Sequence, residues 1–383
     1  MKKIICMVLL LTVFMQCVMK IDSSAVQLEL SAKASVLIEA QTGKVLYAEN
    51  EHMKLPMAST TKIMTTLVTL ESGELDDEFV IDDRALLTEG SSMNLCYGDA
   101  VSKRELCYGM MLPSGNDAAN AAALKIGGEY EAFADIMNKR ACEIGMRNSS
   151  FVTPSGLHDD EHYSTAYDMA LLARTAMKND EFRKICSTAY IKLSDEKWEN
   201  DKYLKNSNKL LSRYDGCIGV KTGFTDEAGR CLVSAAERNG ITLIAVTLNA
   251  PDDWNDHIKM MEYGFSVTSM EKIEGCDESF VLPVAGGDTD EVTGVLSEIP
   301  EIASVNGVVP EISAKVILPE FVYAPVLKGD VLGRIEYYAD EEFICSVDIV
   351  SDESCCIIEK AVEKSLYRFI IEKLKGLFKT KPE

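Results

Sequence analysis

Three short strings occur in one order along the chain: Ser59-Thr-Thr-Lys62, then Ser114-Gly-Asn116, then Lys221-Thr-Gly223. Together they hold the groups for serine acyl transfer with lysine, not histidine, as the base. A serine hydroxyl becomes a nucleophile when a neighbouring base takes its proton. Lysine can serve only if it is neutral near pH 7, which burial and a second nearby cation both favour. Lys221 is the obvious second cation. Each string alone is weak, since Ser194-Asp-Glu-Lys197 and Ser269-Met-Glu-Lys272 repeat the first and Ser92-Met-Asn94 repeats the second. Only one combination completes the ordered set.

The surrounding residues say which elements must carry these groups. Behind Pro56, the residues Ile63, Met64, Leu67, Val68 and Leu70 recur at the spacing of a buried helix that ends near Gly73. Ser59 and Lys62 fall in its opening turn, where residues three apart share a face. The positive end of the helix dipole and its free N–H groups there favour a developing alkoxide or oxyanion. The apolar run Leu106 to Leu112 breaks at Pro113, so Ser114-Gly-Asn116 reads as a tight turn between two helices. On that turn Ser114 could relay a proton from Lys62 to a leaving amine, while the Asn116 amide holds a substrate carbonyl. A strand over Gly219 to Phe224 turns at Asp226 to Gly229 into a second strand, Cys231 to Ala236. Gly223 lets an extended substrate approach the strand edge. Lys221, Thr222 and Thr225 would offer a charge and two hydroxyls to a substrate carboxylate.

Longer strings enclose the three: Met57-Ala-Ser-Thr-Thr-Lys62, Met111-Leu-Pro-Ser-Gly-Asn-Asp-Ala-Ala119, His162-Tyr-Ser-Thr-Ala-Tyr-Asp-Met-Ala170, Asn206-Ser-Asn-Lys-Leu-Leu211, and Lys221-Thr-Gly-Phe-Thr225 followed by Ala228-Gly229. On these residues the chain resembles the penicillin-recognising serine enzymes. More narrowly, it is similar to the low-molecular-mass penicillin-binding proteins that are D-alanyl-D-alanine carboxypeptidases. The match is strong over residues 30 to 265 and looser beyond. The resemblance implies that Ser59 attacks the carbonyl of the penultimate D-alanine of a peptidoglycan pentapeptide. Lys62 then takes the proton, and Ser114 helps pass it to the departing D-alanine. It also implies an oxyanion site at the N–H groups of Ser59 and Phe224, acylation of Ser59 by β-lactam antibiotics, and no cofactor. Some relatives carry an arginine inside the Asn-x-Asn string; Ser207 stands there here, which leaves the carboxylate to Lys221, Thr222 and Thr225. A β-lactamase and an endopeptidase acting on cross-links would use the same strings, and a catalytically silent wall-binding protein would have no reason to keep them together.

The fold class expected is α/β (α+β): a β-lactamase-like catalytic domain with an antiparallel sheet and flanking helices over residues 26–270. A small β-rich domain follows over 275–352, and an amphipathic helix over 356–383. The change comes near Glu274 to Glu278, after which β-rich runs such as Lys315 to Leu318, Val331 to Tyr338 and Phe343 to Val350 alternate with Gly, Pro and Asp. A length of 383 residues and 47% hydrophobic content support two cores.

Residues 1–25 read as an export signal: Lys2 and Lys3, an apolar run from Ile4 to Met19, and Ser23-Ser-Ala25 as a cleavage site. The run is short of the ~20 residues needed to span a bilayer. Export would place the enzyme on the outer face of the cytoplasmic membrane or in the wall. Of twelve cysteines, ten follow that leader. They show no metal spacing, and their scatter suits free thiols in small core positions. The tail from Ile357 to Phe378 sets apolar residues at helical spacing among lysines and arginines, against a net charge of −22 for the whole chain. A basic amphipathic helix on an acidic body suits a tether to an anionic membrane surface, and the acidic balance argues against nucleic acid. His158-Asp-Asp-Glu-His162 imitates a metal cluster, but it reads as a loop ahead of a helix capping box at Thr165-x-x-Asp168.

Overall fold

The computed structural model describes residues 28–193, 201–273, 279–339, 341–358, 371 and 373. The leader, Ser194 to Lys197, Glu274 to Glu278 and nearly all of the basic tail lie outside the described residues. Among the described residues two compact units emerge, one taking in those through Ile38, Val45–Ala236 and Ile244–Tyr263, the other Glu39–Lys44, Glu237–Leu243 and the described residues from Gly264 on.

In the first unit, strands β1 (Ala34–Glu39) and β2 (Val45–Glu49) are followed by two short pairs, β3 (Glu78–Val80) with β4 (Ala100–Ser102) and β5 (Tyr190–Leu193) with β6 (Lys202–Lys205). Strands β7 (Cys217–Thr225), β8 (Gly229–Arg238) and β9 (Ile241–Leu248) complete a five-stranded sheet in the order β2-β1-β9-β8-β7. The pairs β1·β2 and β7·β8 are antiparallel, with Phe224 opposite Arg230 and Lys221 opposite Val233. Strand β7 is therefore an edge strand, as the glycine in its string requires for an approaching chain.

Eight helices accompany these strands among the described residues: α1 (Lys62–Glu71), α2 (Lys103–Met111), α3 (Asn116–Gly127), α4 (Tyr130–Ile144), α5 (Ala166–Met177), α6 (Asp180–Ser187), α7 (Leu210–Arg213) and α8 (Asp253–Val267). Helix α1 is buried all round from Lys62 to Leu70, which makes it the centre of the unit. Its threonines survive burial because each finds an acceptor: Thr65 Oγ1 donates to Pro154 O at 2.6 Å and Thr69 Oγ1 to Thr65 O at 2.7 Å. Helix α2 starts at a full capping box, Ser102 with Glu105. Only half of the box expected at α5 forms. Thr165 Oγ1 accepts from Asp168 N, but the Asp168 carboxylate turns away to accept from Asn148 N and Ser149 Oγ, each at 2.7 Å.

The second unit is β-rich. Strands β10 (Thr268–Lys272) and β13 (Glu301–Val305) pair with each other. A six-stranded sheet joins β11 (Phe280–Ala285), β12 (Glu291–Leu296), β14 (Ile312–Ile317), β15 (Val322–Tyr323), β16 (Val331–Ala339) and β17 (Glu342–Ser351) in the order β14-β16-β17-β12-β11-β15. Leu282, Val292, Ile335, Tyr337, Val347 and Ile349 form its core. The decoy Ser269-Met-Glu-Lys272 is part of β10, with Ser269 Oγ held 2.9 Å from Ser304 Oγ.

Candidate active site

The site is built outward from a single-turn 3₁₀ helix, Ala58–Thr61, that runs into α1. Its hydroxyls fold back on the chain: Thr60 Oγ1 donates to Met57 O at 2.6 Å and Thr61 Oγ1 to Ala58 O at 2.8 Å. Gly156 presses on the same turn. A Cβ there would lie 2.0 Å from Ala58 O, and its φ of +85° suits glycine alone. His162 supports the turn from below. Its Nδ1 accepts from Val152 N at 2.9 Å and Thr153 N at 3.2 Å, so the proton resides on Nε2. Nε2 then donates to Thr61 Oγ1 at 2.8 Å. Burial lowers the pKa of His162 to about 4, keeping it neutral in this role.

Lys62 has no exposed surface. Its Nζ lies 2.9 Å from Ser59 Oγ, 2.7 Å from Asn116 Oδ1 and 2.7 Å from Ser155 O. The amide oxygen and the backbone carbonyl can only accept. A neutral amine has two N–H groups for those two oxygens, which leaves its lone pair for the Ser59 hydroxyl. Burial is the main force pushing the Lys62 pKa well below the ordinary lysine value. The charge of Lys221 adds to it, and Asp117 opposes. Lys221 is itself 1% exposed, and burial lowers its pKa to about 7.

The second string sits on the turn between α2 and α3, as expected. Ser114 adopts a left-handed φ of 68°, and Gly115 N donates to Gly109 O at 2.8 Å. Asn116 is committed at both ends: Oδ1 accepts from Lys62 and Nδ2 donates to Glu89 O at 2.6 Å. Its carbonyl oxygen thus orients the base, while Nδ2 carries a second N–H beyond the one given to Glu89 O. Asp117 ties down the neighbouring loop by accepting from Ser92 Oγ, Met93 N and Leu95 N, which accounts for the decoy Ser92.

The third string closes the cleft. A Cβ on Gly223 would lie 3.1 Å from Met57 O, Ser59 N and Thr60 N, tight enough that a side chain here would have to push the turn aside. Ser59, Ser114, Ser207, Thr222, Gly223 and Phe224 line one cleft of about 330 Å³. Thr222 Oγ1 and Ser207 Oγ are 2.9 Å apart. Ser207 is held out between two structural asparagines: Asn206 donates to Cys186 O and Thr188 O, and Asn208 Oδ1 accepts from Leu210 N. Thr225 Oγ1 accepts from Ala228 N and shapes the hairpin turn. Lys221 Nζ donates to Thr222 O at 2.9 Å.

Four contributors were not anticipated: Ser155 O, His162, Asp117 and the side chain of Arg230 at the cleft wall. Arg230 was within reach of the hairpin register, which puts it across from Phe224. Asp117 follows Asn116 directly but acts on the Ser92–Leu95 loop, and Ser155 and His162 come from segments distant in sequence. Among the described residues no cluster of three or more His, Cys, Asp or Glu could hold a metal ion. Their nine cysteines are all free thiols.

Comparison with known proteins gives the same answer as the geometry. A family model described as D-alanyl-D-alanine carboxypeptidase matches residues 21–252. A second, described as penicillin-binding protein 5, C-terminal domain, matches residues 277–355. The D-alanyl-D-alanine carboxypeptidase DacF of Bacillus subtilis (strain 168) is 33% identical, over 84% of this chain and 85% of its own. The D-alanyl-D-alanine carboxypeptidase of Streptomyces sp. (strain K15) is 38% identical, over 59% of this chain and 84% of its own. The crystal structure of penicillin binding protein 5 from Haemophilus influenzae superposes with a TM-score of 0.61 at 29% identity, covering 86% of this chain and 99% of that one. The fold is the mixed α/β fold of the DD-peptidases with a β-rich C-terminal unit, and the chain belongs to the D-alanyl-D-alanine carboxypeptidase family of serine peptidases.

Proposed function

We propose that this enzyme is a serine D-Ala-D-Ala carboxypeptidase that removes the terminal D-alanine from peptidoglycan stem pentapeptides, with Ser59 as nucleophile and Lys62 as base. The observation that carries the assignment is the 2.9 Å contact between Lys62 Nζ and Ser59 Oγ, made while two obligate acceptors occupy the other positions around the amine. Ser59 Oγ bonds to the carbonyl carbon of the penultimate D-alanine as its proton passes to Lys62 Nζ. Collapse of the tetrahedral intermediate breaks the C–N bond, and the proton moves by way of Ser114 to the amine of the leaving D-alanine. Water then cleaves the ester and returns Ser59. Backbone N–H groups of Ser59 and Phe224 would hold the oxyanion. A β-lactam would acylate the same serine. Among the described residues lining the cleft, Asp253 is the one carboxylate, and Arg230 holds it.

The substrate chemistry supports action outside the cytoplasm, and the sequence at residues 1–25 supports export as a secreted or membrane-associated enzyme. The basic amphipathic tail supports attachment to the membrane surface. No helix among the described residues is long and apolar enough to cross a membrane. Incubating the mature protein and its Ser59→Ala variant with a pentapeptide ending in D-Ala-D-Ala, and measuring released D-alanine, tests the assignment. Release only by the parent protein is expected; equal release would refute it.

A further inference from the structure

A carboxypeptidase must recognise a free C-terminal carboxylate next to the bond it cuts. The residue types of the third string suggested Lys221 for that charge. In the structure Lys221 is 1% exposed and its Nζ donates to Thr222 O. Its charge depresses the pKa of Lys62, and it is not among the residues that line the cleft.

A different cation lies in the cleft. Arg230, on β8, is the cross-strand partner of Phe224, and directly opposed residues of an antiparallel pair share a face. Its side chain is 41% exposed and lines the same cleft as Ser59, Thr222 and Ser207. One edge of the guanidinium is fixed. Nε donates to Asp253 Oδ1 at 3.1 Å, and Nη2 to Oδ1 at 2.8 Å and Oδ2 at 2.9 Å. Asp253 is itself 2% exposed, so the anchor is rigid. Trp254 adds a ring 5.6 Å from the guanidinium carbon, a cation–π distance. A guanidinium presents five donors in a planar fork. With the Nε/Nη2 edge held by Asp253, the Nη1 end remains for a second carboxylate.

We propose that Arg230, clamped by Asp253 and Trp254, is the specificity-determining cation that captures the C-terminal carboxylate of the substrate, assisted by the Thr222 and Ser207 hydroxyls. The Thr222 and Ser207 hydroxyls line the same cleft as Arg230 and lie 2.9 Å from each other. Arg230 thereby supplies the charge missing from the Asn-x-Asn string, where Ser207 stands. Lys209 also lines the cleft, but it is a point charge on a flexible stem, with none of the anchoring seen at Arg230.

The inference deepens the carboxypeptidase assignment and rests on it for the identity of the ligand. Its test separates the two. Binding of an N-acylated peptide ending in D-Ala-D-Ala, and of the same peptide as its C-terminal carboxamide, is measured by calorimetry in the Ser59→Ala background, where no turnover occurs. The same background carrying Arg230→Gln, Arg230→Lys or Lys209→Ala is compared, with thermal melting as the check on folding. Arg230→Gln should weaken binding of the free acid about 10- to 100-fold, the value of a charged hydrogen-bonded contact. It should change binding of the carboxamide less than about threefold, and Arg230→Lys should fall between. Lys209→Ala should leave the acid preference intact. Equal weakening of both ligands by Arg230→Gln, no weakening, or transfer of the effect to Lys209→Ala would each overturn the assignment of Arg230. Failure of the Ser59 assignment would appear elsewhere, as D-alanine release by the Ser59→Ala protein.

Discussion

The Asn116 carboxamide oxygen sits 2.7 Å from Lys62 Nζ, and this bond determines which way the lysine's lone pair points. With Ser155 O taking the other N–H at 2.7 Å, the remaining tetrahedral position of a neutral amine is aimed at Ser59 Oγ. Orientation of the base is thus set by a side chain from the second string and a backbone carbonyl from a loop that carries no motif.

Replacing Asn116 with Ala removes half of that orientation without touching the nucleophile or the base. Acylation by a labelled penicillin should slow about a hundredfold, the scale of a small misplacement of reacting groups. Affinity for the carboxylate-bearing ligand should stay near the parent value. Stopped-flow acylation with the Asn116→Ala protein would show it, and an unchanged rate would remove Asn116 from the base's support.

Acylation should rise with pH as Lys62 loses its proton. Lys221 lowers the Lys62 pKa by charge repulsion, second to burial, so removing it should let that pKa rise. For Lys221→Met the acid limb of the acylation profile should therefore move to higher pH, with a rate depressed at pH 7 and recovering at high pH. A limb that stays in place or moves to lower pH contradicts the repulsion.

Gly156→Ala should damage the nucleophile from outside the cleft. The added methyl would lie 2.0 Å from Ala58 O at a backbone φ of +85°, so the turn bearing Ser59 must shift. Overpacking of this kind costs about 1–3 kcal/mol, visible as a lower melting temperature. Acylation should drop more than the stability loss alone would cause at 25 °C. A variant that melts early yet acylates normally would show that the turn tolerates displacement.

Acid should unfold the first unit through two histidines. His257 is fully buried between Ser234 Oγ at 2.5 Å and Thr247 Oγ1 at 2.9 Å, and burial lowers its pKa to about 3. His162 titrates at about 4 for the same reason. The unfolded chain binds these protons near pH 6.5 and the native one does not. The stability each neutral histidine provides is therefore full above about 6.5 and lost as pH falls toward the native values. By pH 5 the loss is roughly 2 kcal/mol per histidine. Urea melts at pH 7 and 5 should show it, and His257→Asn should flatten the dependence. An equally steep dependence in the variant would assign the acid sensitivity elsewhere.

Local periodicity made the elements legible. Helix α1 and the β7–β8 hairpin follow from residues adjacent in sequence, and the three strings fall at the turn opening α1, at the turn between α2 and α3, and on β7. The helix opens as a 3₁₀ turn because Thr60 and Thr61 fold their hydroxyls back onto Met57 and Ala58, a preference hidden in an apolar pattern. Ser155, His162 and Asp117 were not legible as site residues, since each acts through a contact made only after distant segments meet. The same holds for the second unit, which takes Glu39–Lys44 and Glu237–Leu243 from within the catalytic stretch of sequence; no shift in composition marks those turns. Arg230 is intermediate. The hairpin register puts it opposite Phe224, but its anchor, Asp253, comes from the start of α8.

The most direct measurement is mass-spectrometric mapping of the penicillin adduct on the parent protein and on Lys62→Met, from pH 5 to 9, with melting curves for both. A single adduct on Ser59, forming faster as pH rises and absent from a folded Lys62→Met protein, is the predicted result. An adduct on another residue, or comparable acylation of Ser59 without the lysine amine, would contradict a neutral Lys62 as the base.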